Sequence, residues 1–412
     1  MASSANEKSI YDVCAFAYMI LPTIDDVEVS GKTVLVRADI NSPLDPDTLE
    51  LLDTSRIRQI LPTLRALLLK NSAIVILAHQ GRPNDWDFTG MEKHAQVLSD
   101  LLGLSVRYVD DIYGAEAQQA IRTLQQGEVL MLGNVRAFEG EREAKSPSEH
   151  AQSVLVHELA PLIDVYVNDA FAAAHRSHCS LVGFPPVVPS CAGRLLEAEV
   201  ETLTQILEQP QRPNLFVFGG AKYSNALKVV CHLLESGVAD TILLGGVPGT
   251  VFAFPECVSS VEQDIIRRLM DQYGDRLKLP VDVAVDMGKR QEVSIGDIDL
   301  GQTDTIKDIG AVTIDLFRSA IDEAGTVLMS GPLGVFEMEA FSLGTRAVMK
   351  GMAMSRAFSI IGGGHTVAAA ELFRVANKIS YVSTGGGSLE RFLMGQDLPV
   401  ISALKQFGGR NR

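Results

Sequence analysis

The strongest constraint on the fold is a unit that recurs through the second half of the chain: an apolar run, a glycine turn, then a helical pattern. Residues 214–218 close on Gly219-Gly220-Ala221-Lys222, and helical spacing runs from 222 to 234. The unit returns where 241–244 meets Gly245-Gly246, and where 326–329 meets Ser330-Gly331-Pro332-Leu333-Gly334. It returns again where 358–361 meets Gly362-Gly363-Gly364-His365-Thr366, and where 379–383 meets Thr384-Gly385-Gly386-Gly387-Ser388. A short apolar run bounded by glycine reads as a buried strand, and the 3.6-residue spacing after it as an amphipathic helix. Strands and helices alternating in this way imply parallel βαβ units. In an open sheet of that kind the carboxyl ends of the strands share one edge, where ligands bind. Two glycines at a strand end bring backbone amides close to a ligand, and the helix N-terminus behind them favours phosphate. One Gly-Gly alone is as readily tight helix–strand packing. Repetition at one edge, with Lys222 adding a full charge, points to a nucleotide-phosphate site.

The first half repeats the alternation with different chemistry at its strand ends. Residues 32–37, 73–78, 105–109, 128–132 and 164–168 read as strands, and 54–70, 90–102, 115–124 and 149–159 as helices. The charged stretch 139–149 reads as a solvated loop. The strand ends carry Asp39 and Asn41, then His79 and Arg82, then Arg136, then Asp169, His175 and Arg176, while Arg56 opens the first helix. Arginine suits bidentate grips on phosphate and carboxylate. A small anionic metabolite is therefore the expected guest, with Asp39 and Asn41 reading a hydroxyl. An acid site in one half and a nucleotide site in the other suit phosphoryl transfer, which depends on positioning and charge neutralisation. No GxxxxGK[ST] pattern and no HRD or DFG set occurs, so neither a P-loop enzyme nor a protein kinase is expected.

At 412 residues the chain is long enough for two domains, on a prior of roughly 150 residues each. The proline-rich break at 183–189 is followed by a long helical pattern, 191–208, that Pro210 and Pro213 end. The expected division is a loosely ordered N-terminal extension (1–22), an anion-binding domain (23–190), a hinge helix (191–209) and a nucleotide-binding domain (210–387). The last segment, 388–412, is expected to pack back on the first domain. The pattern within 275–312 gives no clear reading. A net charge of −15 argues against general binding of nucleic acid or of anionic membrane, both of which need a basic face. The five cysteines, Cys14, Cys179, Cys191, Cys231 and Cys257, show no CxxC spacing. They read as reduced thiols of a cytoplasmic protein. No apolar run approaches the roughly 18–20 residues of a membrane span.

The stretches KTVLVRADINSPL, AHQGRP, VYVNDAF, AHRSH, SLVGF, FGGAK, SGPLGVFE, IGGGHT and STGGGS, in this order, resemble phosphoglycerate kinase from about residue 32 to 387. GGGHT, where many members read GGGDT, looks most like the archaeal-type branch. The resemblance implies an α/β fold of two Rossmann-like domains, each a parallel sheet flanked by helices, joined by a hinge helix. It implies phosphoryl transfer between 1,3-bisphosphoglycerate and ADP, giving 3-phosphoglycerate and ATP with Mg²⁺. Asp39, Ile40, Asn41, Arg56, His79, Gln80, Gly81, Arg82, Arg136, His175 and Arg176 match the phosphoglycerate side. Gly219, Gly220, Ala221, Lys222, Gly246, Ser330, Pro332, Glu337, Gly363, Gly364, His365 and Thr366 match the nucleotide side, with Glu337 on the ribose. Arg56, Lys222 and Gly386 match the catalytic positions. Small-molecule substrates, a monomer or small homo-oligomer, and neither nucleic acid nor membrane complete the expectation.

The chain departs from the family pattern at several places. Where many members read GGAKxxDK, Asn225 and Ala226 stand in place of the acid and the second lysine. Lys228 lies about 200° around the helix from Ala226 and does not replace it simply. His365 stands where many members have a metal-binding Asp, so no metal ligand is assigned. Mg²⁺ commonly relies on substrate phosphates, and it is expected to bind mainly through them. Gly133 replaces the Glu usual before Asn-(Leu/Val)-Arg. These departures leave a second reading beside the kinase: a non-catalytic relative that binds nucleotide or phosphoglycerate.

Overall fold

β1 (Thr33–Ala38) is the axis of the first half. Its apolar run is buried from Val34 onward, as expected of a strand covered by helices on both faces. It pairs in parallel with β2 (Ala73–Leu77) on one side, Val36 opposite Ile76. After β3 (Val106–Tyr108) and β4 (Val129–Met131) comes β5 (Val165–Asp169), which pairs with the other side of β1, Val36 opposite Val167. With β6 (Ser190–Ala192) the six strands form one parallel sheet in the order β3-β4-β2-β1-β5-β6. The computed structural model describes residues 21–409; all but the last two residues of the expected N-terminal extension lie outside the described residues.

The second sheet is built the same way. β7 (Asn214–Phe218), β8 (Thr241–Leu244) and β9 (Leu277–Lys278) are followed by a small insertion, β10 (Asp282–Asp286), β11 (Arg290–Ser294) and β12 (Ile306–Ile309), and then by β13 (Thr326–Ser330), β14 (Phe358–Gly362) and β15 (Tyr381–Val382). The parallel sheet runs β15-β14-β13-β7-β8-β9. The insertion, unread in the sequence, is a three-stranded antiparallel sheet in the order β11-β10-β12. One apolar cluster joins the halves, with Phe171 and Leu196 from the first and from the connecting helix, Phe216 and Phe218 from the second, and Leu389 and Leu404 from the last segment. The final helix, Pro399–Phe407, touches the first half through Val400 N–H, which donates to the Ala174 carbonyl at 3.3 Å.

Three expectations are corrected. The connecting helix begins at Arg194 rather than 191. Residues 190–192 instead complete the first sheet, and Gly193 makes the turn so tightly that a Cβ there would sit 2.3 Å from Asp169 Oδ1. Residues 149–159 are not one helix. A capping box of Ser146 and Glu149 starts a short turn at Pro147–His150, and Ser153 caps a second helix, Val154–Leu159. Residues 139–149 are not simply a solvated loop: Glu141 is fully buried.

Asp169 ends β5 and starts the connecting helix. Its Oδ1 accepts from Leu195 N–H at 2.9 Å and Leu196 N–H at 3.2 Å, the orphan amides of the helix's first turn. It is thus a cap rather than a cleft residue. Burial raises its carboxyl from 3.8 to about 6, against the pull of those hydrogen bonds. The unfolded chain ionises first, so stability is lost as pH rises from 3.8 to about 6, the sign required when the native state binds the extra proton. Asp169→Asn keeps the Oδ1 acceptor and removes the ionisation. Urea unfolding is expected to favour the variant increasingly as pH rises through that window.

Candidate active site

The parallel register sets the ends of β1, β2, β4 and β5 side by side, and the anionic chemistry collects there. Asp39 is buried, with Arg56 Nη1 3.0 Å from its Oδ1 and Asn41 N–H donating to the same oxygen at 3.3 Å. Asn41 Oδ1 accepts from Gly81 N–H at 2.8 Å, which ties the loop after β1 to the loop after β2. The Arg136 guanidinium donates to the Gly81 carbonyl. The Asn134 amide holds the same loop from below, donating to the carbonyls of Gln80 and Thr89 at 2.7 Å each. Arg176 Nε donates to His175 Nε2 at 3.2 Å. Arg82 is exposed, and its charge acts on Arg176.

The field of this cleft is positive. Burial works against ionisation of Asp39, yet the groups around it, His79, Arg56 and Arg37, hold its carboxyl below the ordinary range. Burial, with Arg37, Arg136 and Arg176, keeps His79 well below the usual imidazole value in spite of Asp39. Because His79 is neutral, the guanidiniums carry the attraction on Asp39. Burial and then the charges of Arg176 and Arg37 bring even Arg136 down to about 10.

Two expected residues do not face the cleft. Ile40 is fully buried in the core between sheet and helices. Gln80 is fully buried and spends its side chain on Ser42, exchanging two hydrogen bonds of 3.0 Å, and on His94 at 3.1 Å. Both shape the loops rather than offer groups to a ligand. His175 turns toward the second half. Since Nε2 accepts from Arg176, Nδ1 carries the proton and donates to Ser388 Oγ at 2.9 Å.

On the second sheet the glycine turns meet one another. Gly219 N–H donates to Ser330 C=O at 3.0 Å, Gly220 N–H to Pro332 C=O at 2.7 Å, and Gly246 N–H to Leu333 C=O at 3.1 Å. Gly331 N–H donates to Thr366 Oγ1 at 2.8 Å, and Gly363 N–H to Gly385 C=O at 3.2 Å. These amides, expected to point at a ligand, are spent between turns, and the glycines are there for close approach. A Cβ at Gly219 would lie 2.2 Å from the Pro332 oxygen, and one at Gly331 would lie 2.3 Å from the Gly219 oxygen. Gly364 and Gly386 differ: a Cβ on either would meet nothing within 4 Å. Gly364 opens the helix Gly364–Leu372, so its amide has no intrahelical acceptor. Ala221, Lys222, Glu337 and His365 are exposed along the same rim, and Ser330 and Pro332 are half-buried. No cluster of three His, Cys, Asp or Glu side chains able to hold a metal occurs among the described residues.

A family model described as phosphoglycerate kinase matches residues 24–396. The chain belongs to the phosphoglycerate kinase family. A phosphoglycerate kinase of Methanothermus fervidus is 42% identical over 399 residues, covering 93% of this chain and 97% of that protein. One of Sulfurisphaera tokodaii is 41% identical over 399 residues, covering 93% and 95%. The crystal structure of phosphoglycerate kinase from Pyrococcus horikoshii superposes with a TM-score of 0.85 at 36% identity, covering 93% of this chain and 98% of that one. That from Coxiella burnetii gives 0.79 at 31% identity, covering 94% and 99%.

Several residues at this site escaped the sequence reading. Arg37 is 1% exposed behind the cleft; a lone arginine ending the apolar run TVLVRA was its signal. Glu199 lies on the buried face of the connecting helix among Leu196, Val200 and Leu203, again a charge at an apolar position. It accepts from Ser383 Oγ at 2.8 Å, Thr384 N–H at 2.5 Å and Thr384 Oγ1 at 2.7 Å, so this helix grips the last glycine turn. Asn225, standing where the family acid is absent, donates to Glu390 Oε2 at 2.7 Å. The sequence marked Asn225 as a departure from the family pattern, and only this partner, 165 residues away, went unread.

The two kinds of glycine predict opposite outcomes. Gly331→Ala combines a φ of 92° with the Gly219 clash and is expected to cost about 3 kcal/mol or more in urea unfolding. Gly364→Ala is expected to change stability by less than about 0.5 kcal/mol.

Proposed function

We propose that this chain is a reversible phosphoglycerate kinase of glycolysis and gluconeogenesis. It moves a phosphoryl group between 1,3-bisphosphoglycerate and ADP, giving 3-phosphoglycerate and ATP. The observation that carries the reading is the pair of complementary edges: an arginine cleft on one parallel sheet and a rim of glycine turns on the other, in contact through His175 and Ser388. In this reading Arg82, Arg136 and Arg176 hold the phosphate of phosphoglycerate, Asp39 and Asn41 read its hydroxyl, and Arg56 and His79 meet its carboxyl end. Lys222, Gly364 and His365 hold the nucleotide phosphates, and Glu337 the ribose.

In the direction of ATP use, a carboxylate oxygen of 3-phosphoglycerate attacks the γ-phosphorus in line, its bond forms as the bond to ADP breaks, and no proton need move. The protein's task is to bring two anions together and neutralise them. Arg56 is suited to the transferring group. Its guanidinium is held by Asp39 and its side chain remains about a third exposed, at 36%, open to a guest in the cleft. Mg²⁺, when bound with the nucleotide, would supply a counter-charge to its phosphates. Among the described residues no helix is long and apolar enough to cross a membrane, and we place the enzyme in the cytoplasm.

A coupled assay of ATP-dependent phosphorylation of 3-phosphoglycerate tests the reading. Magnesium-dependent turnover on the order of 10–100 per second is expected. Binding of both ligands by calorimetry without turnover would instead make the chain a binding protein. Arg56→Ala is expected to lower kcat by about 100- to 1,000-fold, as for a group that acts on charge developing in the transition state, with little change in the affinity for 3-phosphoglycerate. Equal losses in both would reduce Arg56 to a binding residue.

A further inference from the structure

Behind the cleft a line of hydrogen bonds runs from Glu141 to His79, and the direction of each is forced. Glu141 is fully buried, its Oε2 accepting from Ser180 N–H at 2.8 Å and its Oε1 from the Ser180 hydroxyl at 2.7 Å. A serine hydroxyl has one proton to give, and here the carboxylate takes it. Ser180 Oγ therefore accepts from Arg37 Nε, 2.8 Å away. A guanidinium has only donors, so His79 Nδ1, 3.1 Å from Arg37 Nη2, must accept. The ring proton is left on Nε2, on the side away from Arg37, among the charges of Asp39, Arg136 and Arg176 that act on this histidine.

We infer that Glu141 is a positioning residue which, through Ser180 and Arg37, locks His79 as the Nε2–H tautomer that donates a hydrogen bond to phosphoglycerate. The identity of the ligand rests on the kinase reading above. The other tautomer would turn a lone pair toward an anion. A protonated ring would lose the Arg37 bond and add a positive charge beside guanidiniums that already repel one another. The neutral donor avoids both. Burial pushes the Glu141 carboxyl up, and the charges of Arg37 and Arg136 with the Ser180 hydrogen bonds pull it back toward the ionised form, so one buried carboxylate both orients the relay and offsets the charge behind it.

Nitrogen-15 NMR of the histidine rings, with the His79 signal assigned by its loss in His79→Asn, tests the relay without substrate. In the wild type Nε2 is expected to carry the proton and Nδ1 to be a hydrogen-bonded acceptor; a proton on Nδ1 would overturn the inference. In Glu141→Gln the amide carbonyl keeps Ser180 N–H, but its NH₂ group faces Ser180 Oγ and displaces the serine proton toward Arg37. The His79 signal is then expected to shift toward a tautomer mixture. The KM for 3-phosphoglycerate is expected to rise about tenfold, the loss expected for one hydrogen bond, with the KM for ATP within about twofold. An unchanged His79 signal, or equal rises in both KM values, would reduce Glu141 to a clip between two loops. Ser180→Ala breaks the same relay with a smaller change, and decides the matter if Glu141→Gln does not fold. Absence of turnover in a wild type whose ring spectrum is as expected would overturn the kinase reading and leave the relay standing.

Discussion

Five guanidiniums at one sheet edge repel each other, and much of the first half is arranged to make that tolerable. Arg37 is buried where an unpaired charge would be prohibitive. It survives because each of its three nitrogens has an acceptor: Ser180 Oγ, the Ala38 carbonyl and His79 Nδ1. Arg136 is tied to the Gly81 carbonyl and Arg56 to Asp39. Asp39 and Glu141 are both buried and both acted on by Arg37. Residual positive charge is what the cleft offers an anionic guest, and the neutrality of His79 follows from the same crowding. Counter-charge placed behind the arginines leaves their front free.

The second half solves a different problem. Its turns must come close enough to make one rim, and they do so by bonding to each other. Gly219, Gly220, Gly246, Gly331 and Gly363 are consumed in that stitching. The stitched glycines make the rim rigid, while Lys222, Gly364 and His365 stand exposed on it. Loops that hold a site on a scaffold are otherwise its most mobile parts, and mutual hydrogen bonding removes that freedom.

The connecting helix links the two problems. Asp169 caps its start from the first sheet, and Glu199, one turn further on, grips the Ser383-Thr384 turn of the second. Burial raises the Glu199 carboxyl from 4.5 to about 7 in spite of those hydrogen bonds. Two buried carboxylates, Asp169 at the end of β5 and Glu199 on the helix itself, therefore hold the joints of the helix with either half, and His175 with Ser388 adds a contact across the cleft itself. Changes at the helix would reach both sites through short, named bonds.

The alternation of strands and helices in each half, the shared edge, the charges and glycine turns gathered there and the family were all legible in the chain. They depend on local patterns: apolar runs, turn residues and the charges that follow them. Arg56, Arg136 and Lys222 stand at the sheet edges where the sequence set them, because an arginine or lysine near a strand end has little choice of place. Ile40 and Gln80 were misplaced because neighbours of cleft residues share their loop but not their direction. The glycine amides were misassigned because a turn's partner is another turn, distant in sequence. Arg37, Glu141 and Glu199 were visible only as charges in or beside apolar patterns, and whether such a charge is a defect or a keystone depends on what faces it. By itself the sequence determined the repeating units, the charges at their ends and so the chemistry of each edge. The tertiary structure alone decided which polar groups are spent on one another and which remain for a ligand, because hydrogen bonds across 40 to 213 residues form only after the sheets have set their register.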